Sequence, residues 1–169
     1  MKKTSSLYKG MAMRSKIKLF CFLTAVPFLS SFCDAQQAES TCNPLDTTQW
    51  VQTSKGCLHI YAFLSDSVAS KPNLVIVIHG DAPFSNPGYQ YKMARQISKR
   101  HKNTIAVGLL RPGYIDADGN KSDGQKGLTT GDNYTPEIID EIAEVISILA
   151  ARYHPGEVIL LGHSGGAAI

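Results

Sequence analysis

The sequence predicts an α/β protein, with a parallel sheet that is flanked by helices and begins with an antiparallel pair of strands. Three apolar runs rich in branched residues predict strands, and two stretches with helical periodicity lie between them. The strands are predicted at 74–78, 104–110 and 158–161, and the helices at 87–101 and 135–153. Strands that are apolar along their whole length are typical of a parallel sheet covered on both faces by crossover helices.

The antiparallel pair is predicted at the N-terminal side of these strands. Residues 49–53 and 57–64 have strand-like composition, and a short turn ending in Gly56 joins them. Residues 36–48 are polar and are predicted to form an N-terminal arm that is loose until Cys42 ties it down.

The helices are predicted from their start signals and their apolar spacing. Asn86 and Pro87 fit the N-cap and first position of the first helix, and Thr135 and Pro136 begin the second. The predicted buried faces are Tyr89, Met93, Ala94, Ile97 and His101 in the first helix, and Ile138, Ile142, Val145, Ile146 and Leu149 in the second. The basic residues Lys92, Arg95, Lys99 and Arg100 are interpreted as the solvated face of the first helix.

Residues 1–35 have the organisation of a secretory signal. Six basic residues precede a short apolar run at 19–32, and Cys33-Asp34-Ala35 leads to a predicted cleavage before Gln36. The run is short for a bilayer span and Pro27 interrupts it, so a retained anchor is the weaker interpretation. We expect an exported protein, periplasmic or secreted, without a stable membrane anchor after cleavage.

Removal of this segment changes the charge of the chain. It takes six of the 17 basic residues and one of the 14 acidic residues, which leaves a net charge of −2. No basic patch interleaved with aromatic residues remains, so the composition argues against nucleic acid as a partner.

The remaining cysteines form one pair. Cys42 and Cys57 follow the predicted cleavage point, and an even pair in an exported chain favours a disulfide. Closing a loop of about fifteen residues contributes on the order of 3 kcal/mol to stability. His59 alone is not enough to complete a metal site beside them, and no metal or cofactor is predicted.

The candidate nucleophile lies where the last apolar run ends. Gly162-His163-Ser164-Gly165-Gly166 follows that run, and small residues come after it. A serine hydroxyl is a weak nucleophile unless a tight turn presents it to a base and to oxyanion-stabilising N–H groups. Gly162 and Gly166 allow close packing in this turn, and Gly165 supplies an N–H directly after Ser164. The pentad resembles the nucleophile elbow of the α/β-hydrolase superfamily; the alternative is a glycine-rich turn with an idle serine.

Two other turns resemble parts of the same superfamily. The first predicted buried strand ends in His79-Gly80-Asp81-Ala82-Pro83, which is similar to the His-Gly turn that completes the oxyanion hole. The resemblance implies an N–H donor at Asp81 or Ala82, with Gly80 allowing close approach and His79 bracing the loop. An ordinary strand-to-helix loop remains the alternative.

The second of these turns is Arg111-Pro112-Gly113-Tyr114, and a long polar loop at 115–133 follows it. The length of this loop suggests a binding or lid role, or simple mobility. Asp116, Asp118 and Asn120 alternate as in a calcium loop, but Lys121 and Gly127 stand where that loop requires glycine and glutamate, which argues against calcium.

The resemblance implies a truncated α/β-hydrolase fold, with residues 49–169 as an incomplete domain. In that family the triad acid and histidine follow the serine, whereas all five histidines here precede Ser164. We therefore expect a fragment, a truncated gene or a pseudogene product that is close to inactive by itself.

The implied activity of the intact protein is hydrolysis of an ester, amide or related acyl bond. Ser164 would be the nucleophile, a small-molecule or peptide acyl compound the substrate, and no cofactor would be needed. The alternative is a secreted, non-catalytic α/β binding protein or pseudoenzyme, which keeps the turn for packing and uses the long loop for partners.

Overall fold

The structure, a computed structural model, describes residues 42–126 and 134–169, which form one sheet and two helices. Neither of these helices is long and apolar enough to cross a membrane. In chain order the elements are β1 (Trp50–Gln52), β2 (Cys57–Leu64), β3 (Asn73–Ile78), α1 (Tyr89–Arg100), β4 (Thr104–Leu109), α2 (Pro136–Tyr153), β5 (Glu157–Gly162) and a short 3-10 helix (Ser164–Ala167).

The five strands form a mixed sheet with the order β1-β2-β4-β3-β5. β2 pairs antiparallel with both β1 and β4, whereas β3 pairs parallel with β4 and β5. The prediction of a parallel sheet of the α/β-hydrolase type is therefore wrong. The physical reason lies in the link from β2 to β3, which spans residues 65–72 without a crossover helix, so that β3 runs opposite to β2.

The core occupies both faces of the sheet because neighbouring residues of β3 and β4 point in opposite directions. On one face, Leu74, Ile76 and Val107 pack with α2 residues such as Val145. On the other face, Val75, Val77 and Ala106 pack against Ala94 of α1. The sheet thus lies between two helices, and β3 and β4 hold its centre.

Helix α1 differs from its prediction in start and in buried face. It begins at Tyr89 with Gly88 as N-cap, and its buried residues are Gln90, Tyr91, Ala94 and Ser98. The predicted face residues Tyr89 and Met93 are exposed. A Cβ at Gly108 of β4 would lie 3.0 Å from the Tyr91 Cα, so this glycine admits the helix backbone and brings residues 90 and 91 against the sheet.

Helix α2 begins as predicted and buries Ile142, Val145 and Leu149 together with Glu141. It ends at His154, whose φ of 45° is left-handed and turns the chain towards β5.

Strand β5 lies at the edge of the sheet and is exposed along its whole length. Leu160 is 52 % exposed, although its apolar sequence predicted burial on both faces. Only β3 pairs with it among the described strands. An apolar surface of this kind at the edge of a sheet promotes association.

The N-terminal part of the described chain is tied to β2. Cys42 and Cys57 are joined at a Cα–Cα distance of 6.0 Å. Between them, the Asp46 carboxylate accepts hydrogen bonds from Thr48 and Gln49, so the chain that follows Cys42 forms hydrogen-bonded turns. The predicted signal at 1–35 and residues 127–133 of the long loop lie outside the described residues.

Two facing residues test how the core and the edge differ in stability. Ile76 of β3 is fully buried and pairs in register with the half-exposed Leu160 of β5. We expect Ile76→Ala to lower the free energy of unfolding by about 2–5 kcal/mol, and Leu160→Ala to lower it by about 1 kcal/mol or less because little apolar surface leaves water there. Urea denaturation measures both values, and equal losses would contradict this description of β5.

Candidate functional site

The candidate nucleophile occupies a strained turn directly after β5. Ser164 has a φ of 49°, in the left-handed region that residues other than glycine rarely adopt. Two hydrogen bonds hold the turn: the His163 N–H donates to the Ile78 carbonyl at 3.2 Å, and the Gly166 N–H donates to the His163 carbonyl at 2.9 Å. A backbone strain of this kind costs on the order of 1–3 kcal/mol and is typical of functional sites.

Glycines allow the chain to pass very close to itself around this turn. A Cβ at Gly162 would lie 2.6 Å from the Ala167 Cα, and one at Gly166 would lie 2.5 Å from the Ile78 carbonyl oxygen. Both spaces are filled by backbone, which cannot move aside as a flexible side chain can. Any larger residue at either position would therefore displace Ser164 relative to β3.

The loop after β3 lies against the Ser164 turn. A Cβ at Gly80 would come within 3.0 Å of the Ser164 Cβ, and one at Gly165 within 2.5 Å of Asp81 Oδ1. Within the described chain, neither the Asp81 nor the Ala82 backbone N–H donates a hydrogen bond. The structure thus brings the predicted oxyanion segment next to the predicted nucleophile and leaves its N–H groups available.

Tyr89, at the start of α1, connects the two segments. Its hydroxyl accepts a hydrogen bond from the Gly80 N–H at 2.6 Å and lies 2.9 Å from His163 Nδ1. The hydroxyl oxygen therefore bridges the Gly80 N–H and the His163 ring. His163 is therefore oriented by Tyr89.

The Asp81 side chain is held by a polar network beside Gly165. It forms an ion pair with Arg111 at 2.9 Å and accepts a short hydrogen bond from the Tyr134 hydroxyl. Partial burial acts to raise the pKa of the Asp81 carboxyl, but the hydrogen bonds from Tyr134 and Arg111 outweigh it and keep this pKa below its usual value. The carboxylate is thus ionised and its charge is compensated.

His79 is a buried, neutral brace. Its Nδ1 lies 2.7 Å from the Gly80 carbonyl, to which it donates, and its Nε2 accepts from the Arg111 N–H at 3.0 Å. Burial is the largest cause and lowers the pKa of His79 to about 4; the Gly80 hydrogen bond acts to raise this pKa, and the nearby Arg111 charge acts to lower it. With both ring nitrogens engaged, His79 holds the loop and has no free nitrogen for proton transfer at Ser164.

The segment that resembled a calcium loop is a hydrogen-bonded turn. Asp116 is fully buried and accepts from the Asp118 and Asn120 N–H groups at 2.9 and 2.8 Å. Its other oxygen accepts from Tyr91, whose hydroxyl also lies 3.0 Å from Nδ1 of the buried His59. Across residues 42–126 and 134–169, no group of three potential ligands has the arrangement needed for a metal ion.

The structure brings Gly80 against Ser164 and Asp81 against Gly165, and Ala82 follows Asp81 in the same loop. Within the described residues, the Ser164 hydroxyl makes no hydrogen bond to another side chain, and therefore none to a histidine ring. Sequence reasoning missed Tyr89, Arg111 and Tyr134 as supports of the site. A motif signal existed for Arg111, which begins the Arg-Pro-Gly-Tyr turn, and none existed for the other two.

The buried His79 predicts a pH dependence of stability. Its folded pKa of about 4 lies below the value of 6.5 for a free imidazole. Between pH 6.5 and 4 the unfolded chain binds the proton that the folded chain excludes, so stability falls by up to about 3 kcal/mol as the pH drops through this window, and the loss ends below pH 4.

Urea denaturation from pH 8 to pH 4 measures this effect. His79→Gln, which retains an acceptor for Arg111, is expected to flatten the fall in stability, and His101→Gln at an exposed position is the matched control and should keep the fall of the parent protein. Identical pH profiles for the parent and His79→Gln would show that His79 does not exclude the proton.

Comparison with known proteins does not indicate a function, so a function has to be inferred from the geometry described above. No family model, curated protein or solved structure matches the chain.

Proposed function

We propose that this protein hydrolyses an ester, amide or related acyl bond through nucleophilic attack by Ser164. The single observation that carries the proposal is the contact between the Gly80–Ala82 loop and the Ser164 turn, because it sets the Ser164 side chain beside a loop whose Asp81 and Ala82 N–H groups donate no hydrogen bond within the described chain. The proposal depends on this local geometry and not on the topology of the sheet. It requires no cofactor.

The reaction follows from the positions of these groups. The Ser164 hydroxyl oxygen attacks the acyl carbon, its proton passes to solvent water or to an added small base that returns it to the leaving group, and the carbonyl electron pair moves to the oxygen. The N–H groups of Gly165 and of Asp81 or Ala82 stabilise that oxyanion. Its collapse forms an acyl-serine and expels the protonated alcohol or amine, and water then releases the acid and restores Ser164.

The strain at Ser164 supports a chemical role for this side chain. A positive φ is easily adopted by glycine, so a turn used for packing alone would be more stable with glycine at this position. The serine instead keeps, beside the Gly80 loop, a hydroxyl that makes no side-chain hydrogen bond among residues 42–126 and 134–169. That hydroxyl is not engaged in holding the turn together, since the backbone hydrogen bonds of His163 and Gly166 do so.

The described residues supply a nucleophile and oxyanion donors but no general base. His79 uses both ring nitrogens, and His163 Nδ1 is engaged by Tyr89. Hydrolases that lack triad members retain about 10³–10⁴-fold acceleration over water from the oxyanion hole and substrate binding. We therefore expect acylation of Ser164 by activated reagents to be slow but specific, and to rise when a small base is added.

Covalent labelling tests this function. A fluorophosphonate probe should modify the protein at Ser164, identified by intact mass and peptide mapping, and added imidazole should increase the rate by providing the missing base. Ser164→Ala should abolish the modification both without imidazole and with imidazole added. Ser65→Ala, which alters a serine at the opposite end of the sheet, is the matched control. A folded protein that stays unlabelled at Ser164 would favour the non-catalytic binding protein instead.

Tyr89 provides a second test, because its hydroxyl positions Gly80 and His163. Tyr89→Phe should slow Ser164 labelling by about tenfold, which corresponds to the loss of one well-placed hydrogen bond. Tyr153→Phe removes a hydroxyl at the other end of β5 and should leave the rate unchanged. Equal rates for the parent and Tyr89→Phe would show that the Tyr89 hydroxyl does not position the oxyanion loop.

A further inference from the structure

A cleft of about 790 Å³ begins at the oxyanion loop and extends along α1 towards β2. Asp81, Ala82 and Tyr89 line one part of it, and these residues also form or support the candidate site. Among the residues that line the rest are the aromatic residues Tyr61, Phe63 and Tyr91 and the charged residues Lys92, Arg95 and Asp118. A volume of this size is typical of a site for a small organic ligand.

One wall of the cleft is aromatic and fixed in place. Tyr61 and Phe63 are alternate residues of β2, so both face the α1 side of the sheet. The Tyr61 ring meets the Tyr91 ring edge to face at 4.8 Å, and the Tyr91 hydroxyl donates to the buried Asp116 at 3.1 Å. This wall provides a preorganised apolar surface for an aromatic or aliphatic group.

Two cations one helical turn apart lie on the wall that α1 provides. The Arg95 guanidinium stacks over the Phe63 ring at 5.2 Å, which fixes its position, and Lys92 lies one turn before it. Within the described residues, no carboxylate forms an ion pair with either Lys92 or Arg95. The solvated face predicted from the sequence is therefore also the charged wall of the cleft.

Two carboxylates, those of Asp81 and Asp118, also line the cleft, and they differ in how far they oppose the positive charge of Lys92 and Arg95. Asp81 is compensated by Arg111 at 2.9 Å. Asp118 is the other acidic residue of the lining, and its side chain forms no ion pair within the described chain. An anionic ligand group is therefore attracted to Lys92 and Arg95 and opposed by Asp118.

We propose that the cleft holds the part of the acyl substrate that extends from the scissile bond, and that this part has an apolar body ending in a carboxylate. This inference rests on the proposed hydrolase function and names its substrate class. The apolar body lies against Tyr61 and Phe63, and the carboxylate binds Lys92 and Arg95. Substrates that end in a cation or in a neutral group bind more weakly because they gain nothing from these two side chains.

Calorimetric titration tests the selectivity of the cleft without any turnover. The probes are 4-phenylbutanoate, 4-phenylbutanamide and 4-phenylbutylammonium, which share one apolar body and differ in charge. We expect the anion to bind about tenfold more tightly than the amide, and the ammonium to bind most weakly. The preference for the anion should decrease as salt is added.

Variants assign this selectivity to the cleft. Lys92→Gln combined with Arg95→Gln should reduce the preference for the anion to less than about twofold, and Asp118→Asn should increase it. The matched control is Lys99→Gln combined with Arg100→Gln, which removes the same charge from the last turn of the same helix outside the cleft. Equal binding of the three probes, or equal losses in the two double variants, would overturn the assignment.

A competition experiment links the cleft to Ser164. If the ligand body starts at the oxyanion loop, 4-phenylbutanoate at saturating concentration should slow fluorophosphonate labelling of Ser164 at least severalfold in the parent protein and not in the Lys92 and Arg95 double variant. Selective binding without protection of a labelled Ser164 would overturn the substrate assignment. An unlabelled Ser164 would overturn the hydrolase proposal, and the calorimetric selectivity would still decide whether the cleft binds anions.

Discussion

The parallel register between β3 and β5 is the constraint on which the candidate site depends. Ile78 and Gly162 are register partners, so both strands end at the same edge of the sheet. The segments that follow them, Gly80–Ala82 and His163–Gly166, are consequently forced together. A shift of one residue in this register would reverse which side chains of β5 face each helix and would separate Ser164 from Gly80.

Buried polar side chains then fix the loop that the strands have positioned. His79 joins the Gly80 carbonyl to the Arg111 N–H, and Arg111 in turn pairs with Asp81. Each bond uses a neutral imidazole or a compensated charge, so the network is stable where an isolated charge would not be. The loop is thereby preorganised, and among the described residues its Asp81 and Ala82 N–H groups donate no hydrogen bond.

The sequence predicted the positions of the strands, the antiparallel pair β1–β2 and the parallel direction of β3, β4 and β5, but it did not predict that β2 pairs antiparallel with β4 in a mixed sheet. The apolar runs at 74–78 and 104–110 correspond closely to β3 and β4, because such runs depend on local composition. The antiparallel pairing of β2 with β4 depends on contacts between residues more than 40 positions apart, which no local pattern reports. The same limit explains why the composition of β5 does not show its exposure, since an apolar run has the same composition in a central strand and in an edge strand. The buried face of α1 was assigned wrongly because it depends on Gly108 of β4. This glycine lets the backbone of residues 90 and 91 approach the sheet, a contact that the sequence of the helix alone does not show.

Some residues of the candidate site could be predicted from local motifs, and others reach the site only through tertiary contacts. Ser164, Gly80 and their neighbours belong to short motifs in which backbone geometry requires particular residue types, and such motifs are visible in one sequence. Tyr89 and Tyr134 reach the site only through tertiary contacts, with Gly80 and with Asp81. Tyr89 was expected on the buried face of its helix, and its hydroxyl is instead used at the edge of the sheet.

The left-handed backbone at Ser164 has a consequence for how the sequence can change over time. At this position the residue best suited to the backbone is glycine, which would remove the hydroxyl and relax the turn together. Mutation and selection for folding alone would therefore favour loss of the side chain. The most stable version of this protein and a version able to form an acyl-serine are different sequences, and they diverge at a single codon.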